Sequence, residues 1–182
     1  FPLVAKVNGL KFVAAAANTG SSAYHIGKRF GFESVTTDYH ELLTNPAVGS
    51  VFIITRHDLH AKMVVDALAQ GKRVFVEKPL GITVNDLKLL AKHIRTAVSP
   101  VVMVGFNRRY SPAAIDLKNH FAGRTAPMEI LYRVNAGFIP PDHWTQHPGI
   151  GGGRIIGEVC HFIDLMQFFT DSQPVSVSAH SI

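Results

Sequence analysis

Cysteine is almost absent from this chain: Cys160 stands alone among 182 residues, so no intrachain disulfide can form and packing must hold the fold. With no secretory leader in view, a reducing cytoplasm is the expected compartment. No apolar run approaches the roughly 18–20 residues that cross a bilayer, so no membrane partner is expected. Charge is also scarce. Charged residues make up 17% of the sequence against 47% hydrophobic, which excludes a disordered polyelectrolyte and leaves material for a sizeable core, one domain or one and a fraction. The 18 basic and 13 acidic residues give a net charge of +5. The basic ones are scattered in ones and twos, unlike the clustered face of a nucleic-acid binder. An anionic cofactor or substrate suits that excess better. Ten histidines include no His-x3-His pair with a well-placed acid. His57 and His60 come nearest, and no metal is expected.

What is present is a regular alternation of strand and helix signals. Lys11 to Ala17 reads as a strand, and the polar turn Asn18 to Ser22 precedes a helix from Ala23 to Phe30 ended by Gly31. Ser34 to Thr37 is a short strand. Asp38 with Glu41 three residues later predicts a capping box and a short helix to Leu43. Ser50 to Thr55 is an apolar strand, a helix follows from about Asp58 to Ala69, and Gly71 ends it before the strand at Arg73 to Val76. Thr83 caps a helix to about Ala97, and Val101 to Gly105 is another buried strand. This alternation predicts an α/β fold with a doubly wound parallel sheet. Beyond it come a helix from Pro112 to Phe121, a partly alternating strand from Met128 to Ala136, a helix around Glu158 to Phe169 and a strand from Val175 to Ala179. The change of pattern at Met128 predicts a second, one-sided sheet.

The most telling stretch is Arg73-Val74-Phe75-Val76-Glu77-Lys78-Pro79. A buried parallel strand ends there on an acid, a lysine and a proline, and parallel sheets bind ligands beyond the carboxyl ends of their strands. Pro79 stops the ladder and stiffens the turn that presents Lys78. A solvated strand end is the plain alternative.

Three landmarks in series resemble the family of glucose-fructose oxidoreductase and inositol 2-dehydrogenase-like enzymes: Thr55-Arg56-His57-Asp58-Leu59-His60, Val74 to Leu80, and Gly151-Gly152-Gly153 followed by Cys160-His161-Phe162-Ile163-Asp164. Asn107 to Pro112 and Pro141-Asp142-His143-Trp144 add to the likeness. It extends over nearly the whole chain and is nearest to members that form the second half of two-module sugar dehydrogenases. The resemblance implies a Rossmann domain for NAD or NADP over residues 1–106. Over residues 107–182 it implies part of an α+β domain with an open, mostly antiparallel sheet that supplies substrate and homo-oligomer contacts. The implied chemistry is hydride transfer on a sugar, nucleotide-sugar or polyol.

Carried onto this chain, the resemblance makes Lys78 the lysine beside nicotinamide and substrate hydroxyl, and His161 the acid–base histidine opposite. An imidazole near neutrality suits a hydroxyl proton, and a fixed ammonium stabilises a developing alkoxide. Asn18, Thr19, Thr55, His57, His60, Glu77, Lys78 and Pro79 fall at cofactor positions. Asn107, Arg108, Asp142, His143 and Trp144 join Lys78 and His161 at substrate positions. A cis bond is implied before Pro79. Plainer roles stand beside these. His161 could be a buried structural histidine, His57 and His60 could cap their helix, with contact favoured for His57, and Arg108, Arg109, Asp142, His143 and Trp144 could be ordinary loop anchors.

Three features depart from the family pattern. The first strand and its Gly-x-Gly-x-x-Gly turn are missing, so Phe1 to Lys6 reads as the tail of the helix that follows that turn, and the strands at Lys11 and Ser50 lack their shared neighbour. No acid stands at Ala17-Asn18-Thr19 to grip the NAD ribose, which leaves room for a 2′-phosphate although no arginine adjoins it. Gly157 occupies the place of an aspartate four residues before the catalytic histidine. Glu158, three before His161, is the expected substitute in the relay. A ligand sensor that kept the fold, or a structural oligomerisation module, is the rival to an enzyme.

Overall fold

A computed structural model describes residues 2–180. They form two compact units interleaved along the chain. The first comprises Phe1–Ile53, Lys62–Phe75 and Leu90–Met103, and the second comprises Ile54–Ala61, Val76–Leu89 and Val104–Ile182.

In the first unit, β1 (Ala14–Ala16) and β2 (Ser34–Thr36) pair in parallel, with Ala14 opposite Ser34 and Ala16 opposite Thr36. Helix α1 (Gly20–Phe30) makes the crossover. It starts at Thr19, whose hydroxyl accepts from the Ser22 N–H at 3.2 Å, satisfying one of the orphan donors of a first turn. It ends at Gly31, which takes the left-handed conformation (φ 74°) that costs a residue without Cβ little. Helix α2 (Tyr39–Thr44) is capped by Asp38, which accepts from the His40 N–H at 2.9 Å. The expected reciprocal bond from Glu41 is not made, because the Asp38 N–H is already taken by the Thr36 hydroxyl at 3.0 Å.

Strands β3 (Ser50–Ile53), β4 (Arg73–Val76) and β5 (Val102–Val104) form a separate sheet in that order. The Val74 N–H donates to Val101 and the Gly105 N–H to Val76, each at 2.8 Å, so β4 and β5 climb in the same direction. Among the described residues β1 and β3 do not pair. Helices α3 (His57–Ala69) and α4 (Val84–Thr96) supply apolar faces, with Val64, Ala67 and Leu90 buried. Full burial of a Val or Leu side chain contributes about 1.5–3 kcal/mol. At the start of α4, Thr83 and Asp86 cap reciprocally: the Thr83 hydroxyl accepts from the Asp86 N–H at 3.1 Å and the Asp86 carboxylate from the Thr83 N–H at 2.9 Å.

The second unit carries the turns that follow β3, β4 and β5, then α5 (Pro112–His120) and α6 (Cys160–Thr170). Four expectations are corrected. Met128 to Ala136 and Val175 to Ala179 carry no strand ladder, since a strand exists only against a partner and none pairs with them among the described residues. Leu131, Val134, Val175 and Val177 on them are exposed. The helix expected around Glu158 to Phe169 is corrected at its start, where Ile155–Val159 winds as a π turn and α6 begins at Cys160. The helix tail expected over Phe1 to Lys6 is a 3-10 turn at Val4–Lys6, and Phe1 lies outside the described residues.

Candidate active site

The turn after β4 presents Lys78, and the Lys78–Pro79 peptide is cis. Fully buried His60, on the first turn of α3, donates from Nδ1 to the Pro79 carbonyl at 2.7 Å, and its Nε2 lies 3.2 Å from the Thr55 carbonyl. One ring thus ties the turn after β3 to the turn after β4. The Lys78 backbone N–H reaches the Glu77 carboxylate at 3.3 Å. The Lys78 ammonium donates to the Gly157 carbonyl. Gly157 sits inside the π turn, where the ordinary ladder is disrupted; such turns recur at functional sites.

His161 follows on the first turn of α6, four residues beyond the carbonyl that holds Lys78. It is 9% exposed, its ring meets Phe106 edge-on at 6.0 Å, and its buried Nδ1 has no hydrogen-bond partner among the described residues. Burial, and then the positive charges of Lys78 and Arg108, push its pKa below the usual imidazole value. The result is a neutral imidazole at pH 7, the form a general base requires. Among the described residues, then, the amine and the imidazole share one neighbourhood in the second unit.

The surrounding residues divide by what they touch. Arg109 forks onto Asp164, with Nε 2.9 Å from one carboxylate oxygen and the terminal nitrogen on the other. Asp164 lies one turn beyond His161 on α6, so this pair fixes the helix that carries the imidazole. Arg108 stacks over Phe162 at 4.9 Å and reaches the Tyr132 hydroxyl at 3.4 Å. Asn107 opens the same 3-10 turn, Asn107–Tyr110. Trp144 packs edge-on against His57 at 4.9 Å, with the Arg56 guanidinium 5.7 Å above its ring. His143 caps the short turn Trp144–Gln146 and accepts from the Thr145 hydroxyl at 2.8 Å, and Asp142 is exposed beside it. Glu158 is engaged by Arg154 at 2.8 Å and makes no hydrogen bond to His161. Asn18 and Thr19 belong to the first unit, where Thr19 caps α1.

Sequence reasoning assigned no role to Phe106, Asp164 or the backbone carbonyls of Gly151 and Gly157. Asp164 could have been suspected from its three-residue offset to His161. The carbonyls carry no residue-type signal.

Residues 2–106 match the oxidoreductase family described by its NAD-binding Rossmann fold. The chain belongs to that family. Among characterised members, it is 29% identical to scyllo-inositol 2-dehydrogenase (NAD(+)) of Bacillus subtilis strain 168 over 98% of its own length and 52% of the relative's. It is 30% identical to levoglucosan dehydrogenase of Pseudarthrobacter phenanthrenivorans over 86% of this chain and 41% of that one. A solved levoglucosan dehydrogenase in complex with NADH and levoglucosan superposes with a TM-score of 0.75 at 28% identity, covering 87% of this chain and 45% of that structure. The chain therefore spans about half the length, or less, of these relatives. The fit to a nicotinamide group rests on the orphaned Nδ1 of buried His161, which offers a free polar atom beside Lys78. Among the described residues no helix is long and apolar enough to cross a membrane, and no cluster of His, Cys, Asp or Glu could hold a metal ion.

Proposed function

We propose that the protein of which these residues form the site transfers a hydride between a nicotinamide cofactor and a sugar, nucleotide-sugar or polyol. The observation that carries this is the placing of the Lys78 ammonium, on the Gly157 carbonyl, in the neighbourhood of a buried imidazole at His161 whose Nδ1 has no hydrogen-bond partner among the described residues. Bound nicotinamide supplies a hydride acceptor or donor. The residues do the rest. His161 takes the hydroxyl proton of the carbinol, and Lys78 stabilises the developing alkoxide once the substrate oxygen competes for its protons with the Gly157 carbonyl. Asn107, Arg108, Asp142, His143 and Trp144 are proposed to line the substrate side. Asn18, Thr19, Thr55, His60, Glu77 and Pro79 are proposed for the cofactor side. NAD is supported by the relatives' names, and the missing acid after Ala17 leaves NADP as the alternative. Residues 1–106 serve the dinucleotide, and residues 107–182 serve substrate and homo-oligomer contacts, in a cytoplasmic setting that a single cysteine suits.

Intact protein supplied with polyols and sugars and both dinucleotides should produce or consume the reduced form's absorbance. Lys78→Ala and His161→Ala should each lower kcat/KM by about 10²–10⁴-fold with the far-UV spectrum unchanged. Unchanged activity in Lys78→Ala would reject the assignment. The second reading, a ligand sensor, is favoured by one observation: among the described residues no carboxylate is hydrogen-bonded to His161. Dinucleotide binding without turnover on any substrate would support it.

A further inference from the structure

We infer that His57 is a positioning residue for Lys78, acting through the backbone of residues 151–157, and that glycine at 157 suits the close approach of the imidazole to its side-chain position. This rests on the proposed role of Lys78 at the substrate oxygen. It departs from the cofactor contact that its place in the sequence suggested for His57.

The first turn of α3 grips the segment before the π turn twice. The Asp58 N–H donates to the Ile150 carbonyl at 3.1 Å, and buried His57 donates from Nδ1 to the Gly151 carbonyl at 2.8 Å. That bond fixes the neutral tautomer and aims the ring's Cε1 edge at residue 157. A Cβ added at Gly157 would sit 3.2 Å from His57 Cε1 and 3.3 Å from the Gly151 oxygen, tighter than ordinary van der Waals contact. At Gly151 a Cβ would fall 2.3 Å from the Thr145 backbone, so Trp144's loop and the latch segment are pressed together, and Trp144 closes the other side of the ring. Trp144, His57 and Gly151 are thus linked in series, and the His57 ring borders Gly157, whose carbonyl holds the Lys78 ammonium. The imidazole edge crowds the place of a Cβ at 157, so that a side chain there would push the ring by a few tenths of an ångström. The charged and titratable groups around His57 are Lys78, His60 and Asp58.

The test separates positioning from cofactor contact. His57→Ala removes the latch donor and should lower kcat about 10–100-fold, the scale of a small misplacement, with KM for the dinucleotide unchanged. His57→Asn, whose amide nitrogen can stand where Nδ1 stands, should restore most of it. Gly157→Ala should be harmful in the native background and much less so beside His57→Ala, a non-additivity expected only of touching residues. An activity-independent readout is reductive methylation of Lys78 followed by mass spectrometry. It should be slow in the native protein and His57→Asn, and several-fold faster in His57→Ala and Gly157→Ala. A raised dinucleotide KM with unchanged kcat, additive costs, or unchanged Lys78 labelling would overturn the inference. If the native protein turns over no sugar or polyol, the oxidoreductase reading fails by itself, and the labelling result still decides the latch.

Discussion

Two clusters in this molecule use the same chemistry, a cation on a carboxylate, in opposite surroundings. In the first unit, the Lys62 ammonium joins α3 to α2 through Asp66 and the Tyr39 hydroxyl, which is 2.7 Å from the same carboxylate. In the second unit, Arg109 forks onto Asp164. The Lys62 and Asp66 side chains are 65% and 25% exposed, whereas those of Arg109 and Asp164 are 32% and 9% exposed. Water and salt screen the first pair and compete for its protons. The second has exchanged more of its hydration for two directed bonds, and its carboxylate above all has little water to turn to if its partner is removed. The fork also suits its place: a planar guanidinium fixes orientation as well as distance, and α6 carries the imidazole one turn before Asp164.

The largest expected effect follows from breaking the buried pair. Asp164→Ala leaves a guanidinium without its carboxylate and should cost about 3–5 kcal/mol, roughly 10 °C in melting temperature for a chain of this size. Arg109→Met combined with Asp164→Leu should recover most of that loss, because an apolar pair leaves no stranded charge. Calorimetry of the two single variants and the double decides it. A single variant as stable as the native protein would place Asp164 in water, and the contrast between the clusters would collapse.

Legibility in the sequence follows the same division between side-chain signals and backbone ones. The alternation of strand and helix was readable because caps, glycines and apolar runs act locally, as at Thr19, Gly31 and Thr83. The family was readable because its landmarks are side chains: Lys78 with Pro79, His161, and the glycines from Gly151. Pairing was not readable where it depends on a distant partner, which is why Met128 to Ala136 looks like a strand in pattern and carries no ladder. Nor was the environment of Lys78, since its acceptor is a carbonyl of Gly157, a residue whose letter announces only the lack of a side chain. Glu158 shows the converse case. Its offset from His161 suits a relay, but Arg154, one turn earlier on its own winding, holds it instead.

Acid should separate the two regions further. Burial lowers the pKa of both His57 and His161, whereas the same residues in the unfolded chain titrate near 6.5. Above that value neither state is protonated and the shifts contribute nothing. As pH falls through it, the unfolded chain takes up protons first, so stability declines until the folded imidazoles also titrate. Asp66 behaves differently. Burial alone would raise its pKa, but hydrogen bonds from Lys62 and Tyr39 outweigh that and lower it. Its contribution is present above the ordinary carboxylate range and is lost only as pH falls through its lower folded value. The chain's single tryptophan, Trp144, lies in the second unit against His57 and reports on that region. Its urea midpoint should fall between pH 7.5 and 5.5, and His57→Asn should reduce the fall. A flat profile would mean that the imidazoles are solvated.

The smallest effect belongs to the exposed cluster. Lys62→Met keeps the apolar stem and removes the ammonium, leaving Tyr39 to donate to Asp66 alone. The lysine precedes the aspartate by four residues on α3, the weaker order for a helical pair. Exposed pairs of this kind contribute about 0.2–1 kcal/mol, so the melting temperature should drop by no more than about 3 °C. The drop should shrink further in 1 M salt, where the screening length is about 3 Å. A loss comparable to that of Asp164→Ala, insensitive to salt, would show that Tyr39, Lys62 and Asp66 are shielded from water and that exposure does not set the value of either pair.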